Sequence, residues 1–280
     1  MRRYRIVHTT GFKYQSDVNA SYNEIRMLPI QDDYQLVFNS RLDIKPHGTS
    51  QEFEDYFGSR VVSFEVLEQH SELVITATNV VELRPRNQTA NDCSWQTLAE
   101  QIQRSVMLTD AVTNSKRTMP PVELAKFARK QADTMTPSDA AMSICKFIFE
   151  KMTYLSGETG VHSIATEAWS KKSGVCQDFT HLALGALRSV GIPARYVSGY
   201  LHPQPDPIVG KTVVGESHAW IEWFCGTWIG FDPTNDVPAQ ERHVVVARGR
   251  DYDDVPPLRG VFNGYGQSEL FVSVEITREA

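Results

Sequence analysis

The sequence predicts an α+β protein: an N-terminal antiparallel β-domain, a sandwich or open barrel, followed by a core in which a helix meets an antiparallel sheet. Three observations carry this. Residues 1–85 read as strands, residues 94–152 change to helical spacing, and a helix near 175–190 is followed by a second group of strands. Three regions follow: a β-domain over 1–85, a linker and helical connector over 86–120, and a third domain over 121–280.

In the first region YRIVHTTGFKY, QLVFNSRLDIKP, SRVVSFEVLEQ and ELVITATNVVEL are rich in β-branched and aromatic residues. Several alternate apolar with polar, the period of a half-buried strand. Gly11, Pro29, Pro46-His47-Gly48 and Gly58 supply the turns, and the polar run Arg84-Pro85-Arg86-Asn87-Gln88 ends the region. Next, LAEQIQRSVMLTDAV and VELAKFARKQADTM carry helical spacing on either side of Pro120-Pro121. TPSDAAMSICKFIFEKMTY reads as a further helix, with Thr136 as N-cap, Pro137 at the first helical position and Asp139 in the first turn. A polar connector and IATEAWSKK follow. VCQDFTHLALGALRSV then gives a helix of about 14 residues with Phe179, Leu182, Ala183, Ala186, Leu187 and Val190 on its apolar face. Gly191 suits its C-terminal cap and Pro193 its stop. ARYVSGYL, GESHAWIEWF, TWIGFD and ELFVSVEIT read as strands, the middle two joined by a turn at Cys225-Gly226-Thr227.

Composition narrows the function classes. At 280 residues the chain buries a core without staples, and 41% apolar with 22% charged residues is ordinary for a globular protein. A net charge of −6 with no basic run argues against nucleic-acid partners. MRRYRIVHTT is followed by no apolar stretch, so neither a signal peptide nor a membrane span is expected, and the expected location is cytoplasmic. Cys93, Cys145, Cys176 and Cys225 show no C-x-x-C spacing and are expected to be free thiols, with Cys145 buried among Ile144, Phe147 and Ile148. No metal or organic cofactor is expected. Oligomeric state is not legible.

Cys176 stands where its helix begins. There the unpaired N–H groups and the positive end of the helix dipole favour thiolate, lowering the pKa from about 8.5. A base for it is His218 in GESHAWIEWF. If the hairpin turns at 225–227, residue 224 pairs near 228 and residue 220 sits opposite Asp232. Asp232 is then a diagonal neighbour of His218, about 7–8 Å away along the backbone, where a carboxylate holds an imidazole in one tautomer. A one-residue slip would put Asp232 on the wrong face. Cys176, His218 and Asp232 thus form a candidate nucleophile, base and orienting acid.

GVCQDFTHLALGALRSVGIPARYVSGYL, ESHAWIEWF and WIGFDPTN together resemble the bacterial transglutaminase-like superfamily of cysteine-protease-type proteins. HTTGFKY and NEIRMLP resemble the β-rich N-terminal domain that accompanies it, and RHVVVARGRDYDDVPPLRG its C-terminal signature. The resemblance implies a papain-like core, with the nucleophile heading a central helix packed on an antiparallel sheet that carries the His and Asp. By matching motifs, Cys176 corresponds to the nucleophile, His218 to the base and Asp232 to the orienting acid.

The implied reaction is acyl transfer from a peptide or related amide through a thioester. The Cys176 backbone N–H is the expected first oxyanion donor, and the Trp169 indole N–H is a candidate second, with packing as its alternative role. Cleft candidates are Asp178, Tyr200 and Trp220, against capping for Asp178 and sheet packing for Trp220. Arg195 and Arg250-Asp251 are read as buried ion pairs. Three functions remain open: a thiol hydrolase, a transglutaminase passing the acyl group to an amine, and a binding module without turnover. A crosslinker in the cytoplasm would endanger its own cell's proteins, which favours hydrolysis.

Overall fold

The computed structural model describes residues 1–86 and 93–280; Asn87 and Gln88 of the expected linker lie outside the described residues. The N-terminal region holds β1 (Arg2–Val18), β2 (Ala20–Ile25), β3 (Gln35–Lys45), β4 (Thr49–Glu54), β5 (Arg60–Val66) and β6 (His70–Leu83). β2 and β4 were not legible in the sequence. β4 is an edge strand exposed at every position, so it has no buried face to impose an apolar alternation.

The helical region opens with α1 (Trp95–Gln103) and α2 (Val106–Ala111), where one helix is expected. The break falls at Ser105, whose hydroxyl accepts the Leu108 N–H and caps a new helix. α3 (Val122–Ala132) and α4 (Pro137–Lys151) follow, α4 capped by Thr136 with Pro137 in its first turn. Then come β7 (Thr153–Tyr154), α5 (Ala165–Lys171), β8 (Ser173–Gly174) and α6 (Cys176–Ser189). In α6 the residues from 177 to 188 are all buried, so it is a central helix rather than one with a single apolar stripe. Gly191, at φ +81°, turns the chain out of it.

The remaining strands are β9 (Ala194–Leu201), β10 (Thr212–Cys225), β11 (Thr227–Asp232), β12 (Val237–Pro238), β13 (His243–Gly249), β14 (Leu258–Asn263) and β15 (Ser268–Arg278). A nine-stranded antiparallel sheet runs β12-β11-β10-β15-β1-β6-β3, with β9 pairing both β10 and β13. A four-stranded sheet runs β14-β2-β5-β4. One face of β6 serves two cores. Leu73, Ile75 and Ala77 pack with Ile25, Val62 and Phe64 of the smaller sheet, which makes the N-terminal part a sandwich. Val81 and Leu83 of the same strand join Tyr4 and Ile6 in the core around α6.

The strands do not follow the expected boundaries. β14 and β15 lie in the stretch assigned to the third domain, yet β15 pairs along β1 from Arg278 opposite Tyr4 to Ser268 opposite Tyr14, and β14 pairs with β2. The N-terminal part of β10 pairs with β15, from Thr212 opposite Thr277 to Gly215 opposite Val274. One sheet therefore runs from the β-sandwich into the strands beside α6.

The cysteine expectation is also corrected. Cys93 and Cys225 form a disulfide with Cα atoms 5.7 Å apart, while Cys145 and Cys176 are free. The two partners are 132 positions apart, so no spacing motif announces them. The bond fastens the start of the helical region to the β10–β11 turn, and bonds of this kind persist mainly in oxidising compartments. Among the described residues no helix is long and apolar enough to cross a membrane.

Candidate active site

Cys176 is the first residue of α6 and is partly exposed. Its position is held by Asp178, whose Oδ2 accepts the Val175 N–H at 2.8 Å and the Thr159 hydroxyl at 2.6 Å. A Cβ on Gly174 would strike the Asp178 side chain, so a glycine is needed for this tight entry. Burial raises the Asp178 pKa against the lowering effect of those two hydrogen bonds. Asp178 is 1% exposed and serves as the cap; it does not line the cleft.

β10 faces α6 and carries His218. The hairpin register is Phe224 opposite Trp228 and Ile221 opposite Phe231, which sets Asp232 diagonally from His218 as the turn geometry requires. His218 Nε2 lies 2.7 Å from Asp232 Oδ2, and the ring shares its cavity with Cys176. With Nε2 directed at the carboxylate, Nδ1 is left for the sulfur. Burial opposes the charged ring, yet hydrogen bonds to Asp232 and Cys176 and the charges of both raise the His218 pKa to about 10.

Asp232 is fully buried and well supplied with donors. Oδ1 accepts the backbone N–H groups of Thr234 and Asn235, at 2.9 and 3.2 Å. Oδ2 accepts from Asn235 Nδ2 at 2.7 Å and from His243 Nε2 at 3.3 Å, besides His218. Burial alone would raise its pKa; the hydrogen bonds from the two imidazoles hold it well below the usual carboxylate range. His218, Asp232 and His243 offer ligand atoms within 4.8 Å of one another. An ionised carboxylate can only accept, so each of the two imidazoles donates its Nε2 proton to Asp232.

Two cavities meet at His218. One, of about 550 Å3, is lined by Cys176, Gln177, Tyr196, Ser198, Tyr252 and Val272; the other, of about 750 Å3, by Leu201, Thr234, Asn235 and Arg242. Tyr154, Val214 and Glu216 border both. Together they make an open trough, with Cys176 lining the first of the two.

The other expected site residues lie elsewhere. Trp169 packs in the core of α4 and α6, and its indole N–H donates to Glu123 Oε2 at 2.9 Å, so it is not available as an oxyanion donor. Side-chain donors lining the same cavity as Cys176 include Tyr154, Ser156, Tyr196, Ser198 and Tyr252, while the Gln177 amide already donates to the Val161 carbonyl at 3.2 Å. Tyr154 closes the stretch expected as a helix, but it lies in β7, and its pairing opposite Gly174 brings it toward the nucleophile. Tyr200 is buried, its hydroxyl 2.9 Å from His8 Nδ1 on β1, because β1 covers that end of β9. Trp220 is fully buried behind His218, edge-on to His243. Neither lines the cleft. Arg195 pairs with buried Glu222 at 2.6 Å. Arg250 pairs instead with Asp254, at the surface, while Asp251 accepts the Asp253 N–H. Asn235 reaches Asp232 through the local turn three residues on, while His243 stands at no distinctive spacing and is brought to Asp232 by the pairing of β13 with β9.

Comparison with known proteins gives the family and the fold. The family model of the transglutaminase-like superfamily matches residues 125–233, and that of the bacterial transglutaminase-like N-terminal region matches residues 4–82. An uncharacterized protein of Mycobacterium leprae is 41% identical over the whole of both chains. A protein-glutamine gamma-glutamyltransferase of Pseudomonas aeruginosa is 29% identical over 40% of this chain and 18% of its own length. A crystal structure from Cytophaga hutchinsonii named "Putative Cysteine Protease" superposes with a TM-score of 0.78 at 21% identity, covering 99% of this chain and 90% of that one. The chain belongs to the transglutaminase-like superfamily, and its fold is that of the cysteine-dependent acyl-transfer proteins.

Proposed function

We propose that the protein hydrolyses a peptide or related amide bond through Cys176, His218 and Asp232. The observation that carries this reading is that Cys176 and His218 line the same cavity, with His218 Nε2 2.7 Å from the buried Asp232 carboxylate. An imidazolium beside the sulfur favours the thiolate. The thiolate attacks the amide carbonyl, and the Cys176 N–H at the helix start faces the developing oxyanion. His218 gives its proton to the leaving amine as the C–N bond breaks, leaving a thioester and a neutral imidazole. That imidazole takes a proton from water, whose oxygen attacks the thioester; the carboxylic acid leaves and the thiolate returns.

The openness of the trough supports water as the second nucleophile. No segment closes over Cys176 among the described residues, so water has access to the thioester. Transfer to an amine uses the same residues and is the second reading, in line with the name of the Pseudomonas aeruginosa relative.

The test is iodoacetamide alkylation of Cys176 followed by mass spectrometry across pH, with H218A as control. Cys176 should react much faster than buried Cys145, whose thiol pKa burial pushes up, and H218A should slow it. A Cys176 rate equal to that of a free cysteine, unchanged in H218A, refutes the catalytic reading and favours a binding module. Peptide panels with and without added amines then separate hydrolysis from transfer.

A further inference from the structure

His243 is the first residue of β13, 3% exposed, and 3.3 Å from the carboxylate that orients His218. Its protonation state follows from its partners. The Gln240 backbone N–H can only donate, and it donates to His243 Nδ1 at 3.2 Å. Nδ1 therefore carries a lone pair, and the ring proton sits on Nε2, directed at Asp232 Oδ2. The His243 N–H bonds back to the Gln240 carbonyl at 2.9 Å, and Trp220 stands edge-on to the ring with centroids 5.2 Å apart. The ring is thus held in one tautomer and one orientation.

Asp232 accepts five hydrogen bonds, and only His218 among the donors has chemical work in the proposed reaction. A carboxylate that gave all its charge to His218 would bind the imidazolium proton tightly and make it a poor acid for the leaving amine. Each further donor takes a share of that charge. His243 is the donor set directly beside His218, their ring centroids 6.3 Å apart. We propose that His243 is a positioning residue for the His218–Asp232 pair, its neutral Nε2–H drawing charge from Asp232 so that His218 can release its proton. The catalytic purpose rests on the reading above; the effect on the proton of His218 does not. The other titratable groups around the pair include Cys145 on α4, Cys176 on α6, Tyr154 on β7, Tyr196 on β9, Glu216 on β10, Asp236 after β11, Arg242 before β13 and Tyr252 after it. A substitution at 243 leaves them all in place.

The test is imidazole nitrogen NMR of the 15N-labelled full chain. In the unmodified protein His243 should be a single Nε2–H tautomer, uncharged from about pH 7 to pH 9. H243F should raise the titration midpoint of His218 by about half a unit to one unit, about a three- to tenfold change in its proton equilibrium. H243Q, whose amide N–H reaches toward the same oxygen, should leave the midpoint where it was. Should H243F not fold, H243N replaces it, since its side chain ends short of Asp232. An Nδ1–H or charged His243, a His218 midpoint unmoved or lowered in H243F or H243N, or an H243Q that matches them would overturn the proposal. If the midpoint moves as expected while Cys176 alkylates like a free thiol, the catalytic reading fails and the role of His243 stands. If Cys176 is activated and the midpoint does not move, only the role of His243 fails.

Discussion

Glu222 sits four residues after His218 on β10 and is 2% exposed. Its carboxylate meets Arg195 of β9 at 2.6 Å, Arg248 of β13 at 2.9 Å and Arg86 at 3.5 Å, so it ties together the strands that carry His218 and His243. The change E222Q keeps the shape and removes the charge. Arg248 retains Asp32 at 2.9 Å, but among the described residues Arg195 and Arg86 have no other carboxylate in ion-pair contact. Leaving buried guanidinium groups without their anion costs about 3–5 kcal/mol at neutral pH. For a chain of 280 residues the unfolding entropy is about 0.6 kcal/mol/K, so the melting temperature should fall by about 5–8 °C. The pH dependence sharpens the test. Burial would raise the Glu222 pKa, but the arginines hold it well below the carboxylate range. Its contribution is therefore complete above its unfolded value of 4.5 and is lost as pH falls below that toward the depressed folded value. The gap between E222Q and the unmodified protein should be full at pH 7 and narrow in acid. The assay is urea unfolding followed by circular dichroism at each pH, with thermal melts alongside. A gap under about 1 kcal/mol at pH 7, or one that does not narrow in acid, would refute the argument.

Three further predictions follow from the site and its supports. His218, raised to about 10 against the lowering effect of burial, gives stability that is complete below its unfolded value of 6.5 and is lost as pH rises toward 10; His8 and His181, lowered by burial to about 4 and about 3, take stability away as pH falls below 6.5. Urea midpoints should therefore peak near neutral pH, and H218Q should flatten the alkaline side; an unchanged alkaline slope in H218Q would refute the assignment. D178A removes the acceptor of the Val175 N–H and the Thr159 hydroxyl and should cost about 1–2 kcal/mol by urea unfolding, with loss of less than half of that counting against the cap. Iodoacetamide added to the urea-unfolded, unreduced chain should label two cysteines, Cys145 and Cys176, and all four after reduction; C225A should lower stability by about 2–4 kcal/mol, and four labels without reductant would rule out the disulfide.

Much of this site is local and therefore legible in sequence. Gly174, Asp178 and Gly191 mark where α6 begins and ends, and so place a thiol at its first turn. The Cys225-Gly226-Thr227 turn, with Gly226 at φ +76°, sets a hairpin register that determines which face Asp232 shares with His218. Such features depend on neighbours a few residues apart, where backbone period and turn chemistry act directly. What only the tertiary structure decided depends on contacts between distant segments. β15 closes on β1 across 274 positions at the Tyr4–Arg278 end, since an antiparallel strand carries an apolar face but no mark of its partner. Cys93 finds Cys225, His243 finds Asp232, and Trp169 turns its indole to Glu123 instead of the cleft. A side chain's period tells which face it occupies; what faces it is set by packing, where burial forces each polar atom onto whichever donor or acceptor the fold brings within reach.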